Sequence, residues 1–190
     1  FAGLDKGWND PDMLMIGMNE LNDTMCRSHM AMWCMMNSPL MLGLDLRRVE
    51  KGDALYQIIA NEDLIALNQD ALGIQAKRIF TTIESEAPDK DYITNHERCD
   101  ILAKPLADGS VAVSFINLSD HEWNETLCVT AEQIVKAIGN KMPNAKTFEN
   151  AKAYSVKNLW SKEQKEVSEG KFVTEQLQAC ESVTLRIKPL

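Results

Sequence analysis

The chain has 190 residues, enough for one domain or for a small domain plus part of another. With 28 acidic against 20 basic residues it carries a net charge of −8, and its charges are scattered. That excludes the basic patch a nucleic-acid binder needs, and no apolar run approaches the roughly 18 residues of a membrane span.

The N-terminal stretch Phe1-Ala2-Gly3-Leu4-Asp5 lacks a basic segment and an apolar signal core, and reads as a chain entered mid-domain. Gly7-Trp8-Asn9-Asp10 is expected to be a short strand that Pro11 terminates. Asn22 or Asp23 can cap a helix running through Arg27, Trp33 and Met36, until Asn37-Ser38 breaks it. Pro39-Leu40-Met41-Leu42-Gly43-Leu44 is a continuous apolar run, as expected for a strand buried on both faces. Residues 52–60 and 62–67 read as helix. Strand–helix–strand–helix is the repeating unit of a parallel α/β fold, and two such units cannot close a barrel. They are therefore expected to lean on a missing partner or to be deformed, with unpaired strand edges.

From about residue 76 the texture changes to β-branched residues at alternating spacing, and the boundary is placed near Gly73–Lys77. Strands are expected near 78–83, 99–105, 111–117, 125–130, 155–160, 166–172 and 182–187, with a helix over 132–138. Asp108-Gly109 is a hairpin signal. Val111, Val113 and Phe115 alternate with Ala112, Ser114 and Ile116, so one face carries the larger apolar groups. The pattern is that of an antiparallel β-sandwich, and at this length it is large enough to fold independently. There is no internal repeat and no low-complexity linker.

The five cysteines, at 26, 34, 99, 128 and 180, form no C-x-x-C pair. Cys26 and Cys34 stand about 12 Å apart along a helix, too far for a disulfide. An odd, irregular set suggests buried thiols and favours a reducing, cytoplasmic compartment, with secretion as the alternative. The sequons at Asn22, Asn117 and Asn124 are read as chance occurrences.

Gly7-Trp8-Asn9-Asp10-Pro11-Asp12-Met13-Leu14 resembles the W-N-D-P-D-M-L signature of glycoside hydrolase family 27, the α-galactosidases and α-N-acetylgalactosaminidases. The likeness continues in order. Arg27-Ser28-His29 with Trp33 is similar to that family's R-S-H-x-x-x-W helix, and Ser38-Pro39-Leu40-Met41 to its next strand. Asn68-Gln69-Asp70 is similar to its N-Q-D-P-L-G turn, with Ala71 in place of proline, and 181–189 to its closing strand.

The resemblance implies an α/β plus all-β chain: residues 1–75 as the last two strand–helix units of a (β/α)8 TIM barrel, and 76–190 as a C-terminal antiparallel β-sandwich. Barrel chemistry sits at the C-terminal ends of strands, so Asp12 and Met13, following Pro11, would lie at that face. The same resemblance makes these two residues line the sugar pocket. Asp12 would accept hydroxyl hydrogen bonds or hold the acid/base residue, and Met13 would meet an apolar sugar face. Trp8 either packs inside the barrel or joins the pocket, and Asp10 is expected to cap a turn or pair with a basic group.

Retaining hydrolysis needs two carboxyl groups about 5–5.5 Å apart. In the family both come from motifs that precede this segment and do not occur in these 190 residues, so no catalytic residue is expected here. Asp10 and Asp12 are rejected as the pair because alternate residues of an extended chain face opposite ways.

His29 and Trp33, at i and i+4, share a helix face, and the histidine is expected to be structural. The methionines at 25, 30, 32, 35 and 36 read as core filler. His96 and His121 show no partner pattern. Asn9, Asp10 and Asp12 offer too few oxygens for a calcium loop, so neither metal nor cofactor is implied.

The implied partners are an α-galactoside and the remainder of the barrel; homo-oligomerisation is left open. The implied parent activity is hydrolysis of terminal α-D-galactosyl residues. The alternatives are a non-catalytic carbohydrate-binding or structural β-sandwich, or a parent acting on α-N-acetylgalactosaminide, β-L-arabinopyranoside or an isomaltose-type glucoside.

Overall fold

The computed structural model describes residues 2–18, 20–83 and 97–190. His96 lies outside them.

Helix α1 (Asp23–Met36) begins where the Asn22 side chain accepts the Met25 N–H. It ends at Asn37, whose left-handed conformation (φ 57°, ψ 31°) turns its N–H back to the Cys34 and Trp33 carbonyls. Cys26, Met30 and Cys34, four residues apart, form its buried face together with Ala31 and Met35. Of the five methionines expected as filler, Met30 and Met35 are fully in the core, while Met25, Met32 and Met36 are half-buried. After a 3₁₀ turn at Leu46–Arg48 come α2 (Ala54–Ile59) and α3 (Glu62–Asn68), the latter capped by Asn61.

The two expected barrel strands are reduced to one parallel bridge, Leu14 to Leu42, closed by Leu14 N–H to the Met41 carbonyl (2.7 Å) and Gly43 N–H to the Leu14 carbonyl (3.0 Å). No strand forms at 7–10. Residues 4–13 are exposed, and the paired residue lies after Pro11 rather than before it. Nor is 39–44 buried on both faces, since Met41 is 66% exposed. Each segment has a single paired neighbour here, so only part of its surface is covered.

The second half forms a six-stranded antiparallel sheet of order β1-β2-β3-β8-β5-β6. Its strands are β1 (Lys77–Thr81), β2 (Cys99–Pro105), β3 (Val111–Asn117), β5 (Ala153–Asn158), β6 (Gln164–Ser168) and β8 (Ser182–Pro189). A second layer holds the two-stranded sheet of β4 (Leu127–Thr130) and β7 (Lys171–Thr174), with α4 (Ala131–Ile138) and α5 (Ala145–Glu149).

Helix α4 opens with a Thr130/Gln133 capping box. The β2–β3 hairpin turns at Asp108-Gly109, with Gly109 at φ +81°. The single strand expected over 166–172 is instead two strands in different sheets. Glu169 and Gly170 both take left-handed φ (67° and 57°), which reverses the chain, and a Cβ at Gly170 would stand 3.2 Å from the Tyr154 hydroxyl. Helix α5 was not expected from the sequence.

All seven β3 residues are buried because the sheet is covered on both faces. Val111, Val113 and Phe115 join the sandwich core with Ile134, Ile138, Phe148 and Phe172. The opposite face offers Ala112, Ser114 and Thr184, small groups that let α1 approach, and Ala112 belongs to one apolar cluster with Leu14, Met30 and Leu64.

One buried cation pins the two halves together. Lys104, in β2, is fully buried, and its ammonium donates to the Cys34 carbonyl (3.0 Å), the Leu67 carbonyl (2.6 Å) and Asn37 Oδ1. It thus serves the C-terminal ends of α1 and α3 together, where helix dipoles favour positive charge. Burial lowers its pKa to about 8, against the opposing pull of the Cys34 thiol and Asp70. Asp70 accepts the Ala107 N–H at the hairpin tip (3.0 Å), and Asn68 Nδ2 donates to the Ser38 carbonyl (2.9 Å), so the N-Q-D turn serves as a structural clamp.

All five cysteines are free thiols, and burial pushes Cys34 and Cys99 up to about 12, which leaves both unreactive. Asn117 is fully buried, with Nδ2 donating to the His121 and Gln178 carbonyls, so its sequon cannot carry a glycan in this fold.

Candidate active-site loop

The segment from Trp8 to Met15 is an exposed loop built by its own polar groups. Asp10 Oδ1 accepts the Asp12 N–H (3.1 Å), a turn cap of the kind expected of Asp10. Asp12 Oδ1 accepts the Met13 N–H (2.7 Å), and Asp12 stands at φ +78°, a left-handed conformation aspartate tolerates better than most residues. Among the described residues Asp12 Oδ2 makes no hydrogen bond, and the residue is exposed. Because the chain is not extended here, alternation of faces does not separate Asp10 from Asp12. What distinguishes both from a free carboxyl pair is that one oxygen of each is committed to a backbone N–H.

The loop is also held from outside. Trp33 Nε1 donates to the Asp12 carbonyl (3.0 Å), and the Met15 N–H donates to His29 Nε2 (3.1 Å). The His29 and Trp33 rings stack at 3.9 Å between centroids, tilted by 33°. Burial lowers the His29 pKa, although its contact with the Met13 backbone opposes this. Asn9 Nδ2 reaches Gln75 Oε1 (2.7 Å) on the connecting segment.

Met13 is 40% exposed and its sulfur lies over Gly43, where an added Cβ would stand only 2.6 Å from it. Asp12 and Met13 are thus adjacent, half-open and positioned by backbone contacts. Trp8 is 44% exposed, and its ring lies against Gly73. Gly43 and Gln75 were not singled out from the sequence. Gly43 could have been, as a glycine ending an apolar run where another chain approaches closely.

A cleft of about 880 Å³ lies between the helices and the sandwich, away from this loop. Several of its charged groups are engaged: Lys157 and Lys162 both reach Asp63 (2.8 Å each), and Arg27 lies 5.9 Å over the Trp160 ring. Burial would raise the Asp63 pKa, but the two ammoniums outweigh it and hold the carboxyl below its ordinary value. Among the described residues no three His, Cys, Asp or Glu side chains cluster as metal ligands.

Comparison with known proteins agrees with both halves. The family described as alpha galactosidase A matches residues 2–70, and that described as alpha galactosidase C-terminal beta sandwich domain matches 96–187. The α-galactosidase of Cyamopsis tetragonoloba is 36% identical over 113 residues, 60% of this chain and 24% of that protein. Alpha-galactosidase A of Cellvibrio japonicus is 30% identical over 167 residues, 85% of this chain and 36% of its own length. The chain therefore spans little more than a third of these relatives at most. The α-galactosidase of Saccharomyces cerevisiae, solved with raffinose, superposes with a TM-score of 0.77 over 100% of this chain and 48% of its own; at 21% identity this speaks for the fold. The chain belongs to the α-galactosidase family, of which it carries the end of the (β/α)8 barrel and the C-terminal antiparallel β-sandwich.

Proposed function

We propose that the parent protein is a retaining α-galactosidase hydrolysing terminal α-D-galactosyl residues, and that this chain supplies sugar contacts but not the catalytic carboxylates. The nucleophile and acid/base belong to the family motifs that precede this segment, which do not occur in these 190 residues. Asp12 receives sugar hydroxyls on Oδ2, Met13 meets an apolar sugar face, and Trp8 borders the site. The observation that carries the reading is the ordered run of family motifs that opens with a loop in which Asp12 and Met13 are both exposed.

The boundary between the barrel end and the sandwich falls at 75/76, just before β1. The exposed apolar side chains Leu4 (69%), Met41 (66%) and Leu46 are met by the remainder of the barrel.

The test is hydrolysis of p-nitrophenyl α-D-galactopyranoside by this chain beside the longest natural product of the same gene. Activity in the long form alone is expected. Activity in the 190-residue chain would overturn the absence of catalytic carboxylates here, and inactivity of both would remove the galactosidase reading.

A further inference from the structure

We infer that His29 and Trp33 are positioning residues for sugar binding: one face of α1 holds the backbone of the 12–15 segment in the shape that presents Asp12 and Met13. This rests on the reading above that those two side chains meet the sugar. A non-glycine residue at φ +78° sits in a strained conformation that persists only where its surroundings enforce it. Within the loop the Asp10 cap contributes.

The other two restraints come from α1 and flank Met13. On one side the Trp33 indole N–H binds the Asp12 carbonyl; on the other His29 Nε2 receives the Met15 N–H. Their rings stack into a single plate at i, i+4 spacing. Both contacts use only backbone groups of the loop, so Asp12 Oδ2 and the Met13 thioether stay available. Because the Met15 N–H can only donate, Nε2 must be the acceptor, which fixes a neutral ring protonated at Nδ1. The lowered His29 pKa is consistent with that form.

The experiment uses the longest natural product of the gene. Trp33→Phe deletes one N–H and keeps a ring; His29→Leu deletes the acceptor; His29→Gln restores one. For each, kcat and KM on p-nitrophenyl α-D-galactopyranoside, the Kd of galactose and the thermal midpoint are measured. Trp33→Phe and His29→Leu are expected to raise KM and Kd several-fold, with kcat within about twofold, and His29→Gln to recover part of the loss.

Asp12→Asn separates the two levels. If it leaves KM unchanged, the sugar-binding reading itself fails. If it raises KM while Trp33→Phe and His29→Leu move only the thermal midpoint, the positioning role is overturned. Should His29→Leu fail to fold, Trp33→Phe alone decides.

Discussion

Replacing Lys104 by methionine keeps the aliphatic stem and removes the ammonium, leaving the Leu67 carbonyl and Asn37 Oδ1 buried without a donor, while the Cys34 carbonyl keeps the Asn37 N–H. Each orphaned acceptor costs about 1–3 kcal/mol. Against this, the drop in the lysine pKa from its ordinary 10.5 to about 8 corresponds to about 3 kcal/mol of burial cost that the variant escapes. With two orphaned acceptors set against that relief, the net expectation is a loss of about 1 kcal/mol at pH 7.

Urea unfolding of the 190-residue chain, followed by tryptophan fluorescence, should show a lower midpoint with an unchanged slope. The pH dependence has a definite sign. Between about 8 and 10.4 the unfolded lysine holds its proton while the folded one has lost it, so wild-type stability rises with pH through that window. The gap between wild type and Lys104→Met should therefore widen above pH 8. A variant as stable as wild type at pH 7 would show that the ammonium is not a net clasp, and a gap that stays flat to pH 10 would refute the lowered pKa.

Three further outcomes are expected. Asn117→Asp replaces a donor to two carbonyls with a buried anion, and chemical denaturation should show a loss on the order of 3 kcal/mol. Asp63, held below its ordinary pKa by Lys157 and Lys162, contributes stability that is present above about pH 4 and lost as pH falls through its folded value. Asp63→Asn should accordingly lower stability by about 1 kcal/mol at pH 7 and converge with wild type in acid melts. Gly43→Ala places a Cβ against the far end of Met13, a side chain that can move, so thermal stability should change little while KM for a galactoside rises in the longest natural product; an unchanged KM would argue against Met13 as a sugar contact.

His29, whose pKa burial lowers, adds a second acid-sensitive contribution: it is present above about pH 6.5 and lost as pH falls. Protonation there would also remove the acceptor for the Met15 N–H.

The candidate site was legible as composition but not as shape. The motif around Asp12 and Met13 could be found by inspection, and Asp10 could be foreseen as a turn cap. No strand forms at 7–10 because a strand needs neighbours, and among the described residues the parallel bridge of this segment falls at Leu14. The sequence left Trp8 between a barrel interior and a pocket; its contact with Gly73 depends on the path of the connecting segment. His29 and Trp33 were placed on one face correctly, but that face's target, the backbone of a loop 14–21 residues earlier, is a matter of helix orientation.

By itself the sequence determined what acts within a few residues. The Asn22 cap and the Asn37 stop bound α1, Asp108-Gly109 turns the β2–β3 hairpin, and alternation along β3 sorts large from small side chains. These follow from local hydrogen bonds and backbone preferences, which any short segment expresses on its own. Tertiary structure decided the rest. The chain from 164 to 174 splits between two sheets because β5 and β4 compete for its two ends. Lys104, which by residue type belongs at the surface, is buried because acceptors 37 to 70 residues away converge on it. Which strand pairs with which, and which charge goes inside, are settled by contacts between distant segments, which no short stretch of the chain contains.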